Sequence, residues 1–122
     1  MKLLIAFIAC VFALSPLEVS EEIIASIKQG KASELVKYFD DKVSIKIISQ
    51  EDVLSRSQAE ANLRYFFEKH PVKAFTSIHT SVMNNNAQYI TGTLETVSAK
   101  YRVSVLLRRN LVSQFRIENG NE

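Results

Sequence analysis

The chain opens on an unbroken apolar run, Leu3 to Leu14, that Ser15-Pro16 breaks and Glu18, Glu21 and Glu22 follow. From Ser20 onward the apolar positions become periodic. Ser20 is the expected N-cap of a helix over 21–29, with Glu21 and Glu22 at its positive end. Val19 and Ile24 stand in hydrophobic-staple positions, Ile23, Ile24 and Ile27 form the buried stripe, and Gly30 fits the position just past the end. A second helix is expected over 31–39, where Ala32, Leu35, Val36 and Phe39 follow i, i+3, i+4, i+7 spacing. Asp40-Asp41 reads as a turn rather than a ligand pair. Val43, Ile45 and Ile47 then alternate with polar residues, as in a half-buried strand.

The sharpest helical pattern lies over 58–69. Ser57-Gln58-Ala59-Glu60 has the form of a capping box, and Ala59, Leu63, Phe66 and Phe67 share one face. Glu60, Arg64 and Glu68 make a charge ladder on the other face, and Pro71 ends the helix. Strands are expected over 74–83, 88–97, 100–107 and 111–117, joined by connections short enough for an antiparallel meander. A three-residue loop at Arg108-Arg109-Asn110, with Asn110 left-handed, sets Leu107 against Leu111, Val103 against Phe115 and Tyr101 against Ile117. A two-residue loop at Ser98-Ala99 sets Leu94 beside Val103. Parity then gives one apolar face of Ile90, Leu94, Val103, Val105, Leu107, Phe115 and Ile117. Glu95, Arg102 and Arg116 fall in a row on the opposite face, with the two arginines directly opposed.

The Leu3–Leu14 run is too short to span a bilayer but has the length of a signal-peptide core, with Lys2 as its basic flank. Residues 1–19 are therefore expected to be an export segment, cut somewhere between 13 and 19, and residues 20–122 one domain. The expected location is periplasmic or secreted. Cys10 sits inside the apolar run, which continues past it, so it reads as part of that run and not as a lipid-anchor cysteine. It is the only cysteine, so the mature domain is expected to have neither a disulfide nor a thiolate metal site.

Fifteen basic against 13 acidic residues in 122 leave the domain close to neutral. That balance argues against a nucleic-acid binder and against a polybasic membrane binder.

The order helix, helix, strand, helix, four strands resembles the nuclear transport factor 2-like (cystatin-like) fold, an α+β cone in which a curved sheet wraps a long helix. More narrowly, Glu22-Ile23-Ile24, Ile27-Lys28-Gln29-Gly30, Leu35, Tyr38-Phe39, Phe66-Phe67 with Pro71, Tyr89-Ile90-Thr91-Gly92-Thr93-Leu94 and Phe115-Arg116-Ile117-Glu118 resemble a bacterial family, domain of unknown function 4783. The resemblance runs from about Ser20 to Glu118. It implies export, no assigned activity and no functional residues to transfer.

Cone-shaped relatives include isomerases and dehydratases, whose chemistry needs an Asp or His projecting into an apolar cavity. Between Ala74 and Ile117 the one carboxylate is Glu95, which the register places on the outer face. His79 is the remaining candidate base: an even loop at Asn84–Asn86 would aim it into the cone near Gly92, an odd one outward. His70, at a helix end before Pro71, is explained by a favourable contact with the helix dipole. Two distant histidines without an acidic cluster make a poor metal site, and the three scattered glycines form no phosphate loop. No catalytic residue, metal or cofactor is assigned. The expected function is an exported non-catalytic module that binds a small ligand or a protein, with His79, Tyr101 and Phe66 as candidate ligand-binding residues. The alternatives are an isomerase- or dehydratase-like enzyme using His79, and a homodimer through the outer sheet face.

Overall fold

The computed structural model describes residues 16–120. The apolar run of the expected export segment lies outside the described residues.

Helix α1 spans Pro16–Gln29. It starts four residues before the expected cap, with Pro16 at the first helical position, where its missing N–H costs nothing. Ser20 is therefore no cap. It is buried inside the helix and donates a hydrogen bond from Oγ to Gln88 Oε1. Val19, Ile23 and Ile27 form the buried stripe, and Ile24 sits at its edge. The end is as the sequence implies. Gly30, at φ +65°, closes a two-bond turn, Gly30 N–H to Ile27 O and Lys31 N–H to Ser26 O.

The expected second helix is a single turn, α2 (Ala32–Leu35), followed by a 3-10 turn at Val36–Tyr38. Its apolar positions are buried as spaced, but Phe39 belongs to the next element. Strand β1 spans Phe39–Ile47, so Asp40-Asp41 is strand and not turn. Asp41 pairs there with Arg56 at 3.2 Å, and Arg56 Nε donates to Phe39 O.

Strand β2, Gln50–Ser55, was not expected. It is an edge strand, mostly exposed, and QEDVLS carries no apolar alternation to announce it. It pairs with β1 through a two-residue turn at Ile48-Ser49 and leads directly into α3, Arg56–Lys69. The cap of α3 is Ser55, two residues earlier than expected. Ser55 Oγ accepts from Gln58 N–H, and Gln58 Oε1 accepts from Ser55 N–H. The buried face is the expected one: Ala59, Leu63, Phe66 and Phe67.

Strands β3 (Val72–Val82), β4 (Ala87–Thr96), β5 (Lys100–Arg108) and β6 (Leu111–Asn119) form the meander. The six strands make one sheet in the order β2-β1-β6-β5-β4-β3, antiparallel except where β1 lies parallel to β6. All seven residues expected on the apolar face are at most 1% exposed. Gly92 belongs to that face. A Cβ there would stand 2.5 Å from the Phe75 ring, so the glycine makes room for a core aromatic.

The pairings are shifted from expectation. The β5–β6 turn has two residues, Arg109 and Asn110, both at positive φ, with Arg108 opposite Leu111. That turn alone would reverse the face of β6. An extra residue, Ser113, bulges between Leu107–Val112 and Leu106–Gln114 and restores it. Val103 consequently faces Ile117, and Arg102 faces Glu118. At the β4–β5 end, Thr96–Ala99 forms a hydroxyl-braced turn, and Glu95 faces Lys100. The expected row of Glu95, Arg102 and Arg116 does not exist. Arg116 lies opposite Ser104 and pairs with Glu118 and Glu51, each at 3.1 Å.

Candidate functional site

Because β2 turns straight into α3, the helix doubles back along the β1–β2 hairpin. Between the two lies a cleft of about 330 Å³. This is at the small end of ligand-pocket volumes, about 300–1,000 Å³.

The hairpin wall is set by strand alternation. Ile45 and Ile47 of β1 share a face with their cross-strand partners Asp52 and Gln50, and Leu54 continues that face. The helix wall is set by helical spacing: Asn62, Tyr65, Phe66, Lys69 and His70 recur at i, i+3, i+4, i+7 and i+8. The floor is thus apolar, and the polar groups stand around the rim. Ile48 closes the hairpin end. Its φ of +61° is unusual for a β-branched residue and costs on the order of 1–3 kcal/mol. A hydrogen bond from Ile48 N–H to Ile117 O, 2.6 Å, helps to hold it there.

His70 is the most constrained polar group of the cleft. Its ring lies 4.6 Å from that of Phe66, tilted by 35°. Its Nδ1 is 2.8 Å from Ser98 Oγ and 3.4 Å from the Tyr101 hydroxyl. Tyr101 packs edge-on to Phe66 at 5.4 Å. The structure therefore brings two of the sequence candidates, Phe66 and Tyr101, together around His70. Phe66 lines the cleft, and Tyr101, 5% exposed, lies behind it and braces the histidine.

His79 is elsewhere. The β3–β4 connection encloses the odd run Asn84–Asn86, closed by Met83 N–H to Ala87 O. A bulge with Ser77 at φ +52° precedes His79, which then pairs with Thr91 on the outer, exposed face. The enzyme alternative gave that role to His79, and this placement takes His79 out of the interior. Glu95 is on the outer face as expected, but its cross-strand neighbour is Lys100 and not Arg102. Among the described residues, no group of three or more His, Cys, Asp or Glu side chains could hold a metal ion. No helix among them is long and apolar enough to cross a membrane.

The outer face of β1 and β6 carries a charge network. Lys46 Nζ donates to Glu118 Oε2 at 2.8 Å, and Arg116 bridges Glu118 and Glu51. The hydrogen bond from Lys46, with those of Arg116, holds the Glu118 carboxyl below its ordinary value despite partial desolvation.

A curved sheet closed over α1 and α3, with its hollow between helix and hairpin, defines a cone of the nuclear transport factor 2-like, cystatin-fold class. Within that class the chain belongs to the family described as "Domain of unknown function (DUF4783)", which matches residues 20–119. Two solved proteins of that family are similar. One, from Bacteroides uniformis, is 29% identical with a TM-score of 0.77, over 84% of this chain and 97% of that one. One from Bacteroides ovatus is 30% identical with a TM-score of 0.76, over 83% and 94%. An NTF2-like protein of unknown function from Cytophaga hutchinsonii is 8% identical with a TM-score of 0.64, over 86% and 89%, a likeness of fold alone. No protein of curated function matches the chain.

Proposed function

We propose that this protein is an exported module that binds a small, mainly apolar ligand in the cleft between α3 and the β1–β2 hairpin, without catalysing a reaction. The observation that carries the reading is the cleft itself: Ile45, Ile47, Leu54 and Phe66 give it an apolar wall, and Gln50, Asp52, Asn62, Lys69 and His70 give it polar groups. Such a surface gains from covering by apolar matter and takes its orientation from the polar groups. His79, the residue on which the enzyme alternative rested, faces outward, away from this cleft. The outer face beside it carries Thr91, Thr93, Arg102 and Ser104 together with Tyr89, a mainly polar surface for a homodimer to bury. Export is supported by the sequence of residues 1–15.

The test uses Nile red, a neutral apolar fluorophore, with the purified protein. One saturable site is expected, lost in Asn62→Trp, which fills the cleft from an exposed helical position without touching the core. No saturable binding, or binding indifferent to that substitution, contradicts the reading.

A further inference from the structure

We infer that the ligand's head group is an oxygen anion, a carboxylate on an apolar tail, seated at the Lys69–His70 end of the cleft. This rests on the cleft being the binding site. The polar rim is not uniform. Helix α3 runs back along the hairpin, so Lys69 and His70 stand together near the hairpin tip, while Asp52 lies on the opposite wall, on the edge strand. Neither Lys69 nor Asp52 makes an ion pair among the described residues. The cleft therefore offers one cation and one anion to whatever enters it.

Preorganisation separates the two. Lys69 Nζ is held 5.3 Å over the Tyr65 ring, and His70 is fixed by Phe66, Ser98 and Tyr101. Asp52, on an exposed strand, has no comparable restraint. A head group seated at groups already in place loses less to ordering than one that must collect a mobile side chain. The histidine also has a direction. Its Nδ1 is occupied, leaving Nε2 for a ligand. The Tyr101 hydroxyl stands 3.4 Å from the same Nδ1 nitrogen. Lys69 and the Nε2 edge of His70 are then the polar groups that this end of the cleft offers a head group. The α3 dipole opposes an anion at this C-terminal end, but by less than a single charge-assisted hydrogen bond contributes.

The experiment is calorimetric titration of the folded protein with three ligands that share one tail: octanoate, octanol and octylammonium. Octanoate is expected to bind about tenfold more tightly than octanol, the factor that about 1.4 kcal/mol makes. Lys69→Gln, an exposed change, should remove most of that preference, read as the ratio of octanoate to octanol affinity within the variant. Equal binding of octanoate and octanol overturns the head-group inference but leaves the cleft as the site. Tightest binding of octylammonium overturns it too, and moves the head group to Asp52. A preference for octanoate that survives Lys69→Gln also overturns it. Binding by none of the three, together with no Nile red site, overturns the reading of the cleft.

Discussion

Ser20 and Gln88, 68 residues apart in sequence, meet in the core, where the serine hydroxyl donates to the glutamine side-chain carbonyl. Both residues are buried, at 1% and 7% exposure, and their bond ties α1 to β4. Leaving one partner alone in the core costs about 1–3 kcal/mol, because the orphaned group stays desolvated. Gln88→Leu should therefore lower stability by about that amount. Adding Ser20→Ala should recover part of the loss. Urea unfolding of the two single variants and the double variant measures the coupling, and strictly additive effects would contradict the contact.

The same burial bears on processing. Val19 and Ser20 are core residues, and α1 begins at Pro16. A cut at the late end of the expected window would remove part of the packed stripe. Mass spectrometry of the protein from its native host should find a mature N-terminus upstream of Val19, as cleavage after Val11-Phe12-Ala13 would give. A start at Ser20 or later would contradict the structural role of that turn, and an intact Met1 would contradict export with cleavage.

Phe66 joins the core to the cleft. It is 3% exposed and touches Phe67, His70 and Tyr101. Phe66→Ala should destabilise the domain by about 3–5 kcal/mol, the usual range for a buried aromatic. Thermal or urea unfolding is the measurement. A midpoint unchanged within a degree or two would show that the ring contributes no packing.

Glu118 gives the fold a pH dependence. Its carboxyl ionises below the ordinary value of 4.5, chiefly through the hydrogen bond from Lys46 and then those from Arg116. A depressed folded value means that the contribution is present above the unfolded carboxylate range. It is lost as pH falls through the folded value. Glu118→Gln should therefore lower the melting temperature near neutrality, and the gap to the parent should narrow on acidification below about pH 4.5. High salt should shrink it as well, since these side chains are partly exposed. A gap that widens in acid would contradict the assignment.

The buried faces of β4, β5 and β6 were legible, because alternation reports which side is buried; that of β3 hung on the parity of the Asn84–Asn86 loop. Partners along the strands were not. Two-residue and three-residue turns leave similar sequence traces, and the bulge at Ser113 has no apolar signature. A shift of two residues keeps the faces while exchanging every neighbour, which is why the apolar set stood and the Glu95–Arg102–Arg116 row did not. Helix α3 was readable from its stripe, and its cap was displaced because Ser55 and Ser57 both precede a suitable partner. Strand β2 left no trace, since an exposed edge strand needs no alternation. With β2 missing, the hairpin wall of the cleft was invisible, and so was the gap between it and α3. The helix wall did carry a signal: Asn62, Tyr65 and Lys69 flank the core stripe at helical spacing. His70 read as a helix-end residue because its partners Ser98 and Tyr101 lie about thirty positions away, at distances only the fold brings together.

The central claim is that the working surface is the cleft between α3 and the hairpin. An NMR titration of the isotope-labelled protein with octanoate tests it most directly. The largest amide shifts should fall on Leu54, Asn62, Phe66, Lys69 and His70, the residues that line the gap. Shifts concentrated on Thr91, Arg102 and Ser104 across the outer sheet face, or no saturable shifts at all, would contradict it.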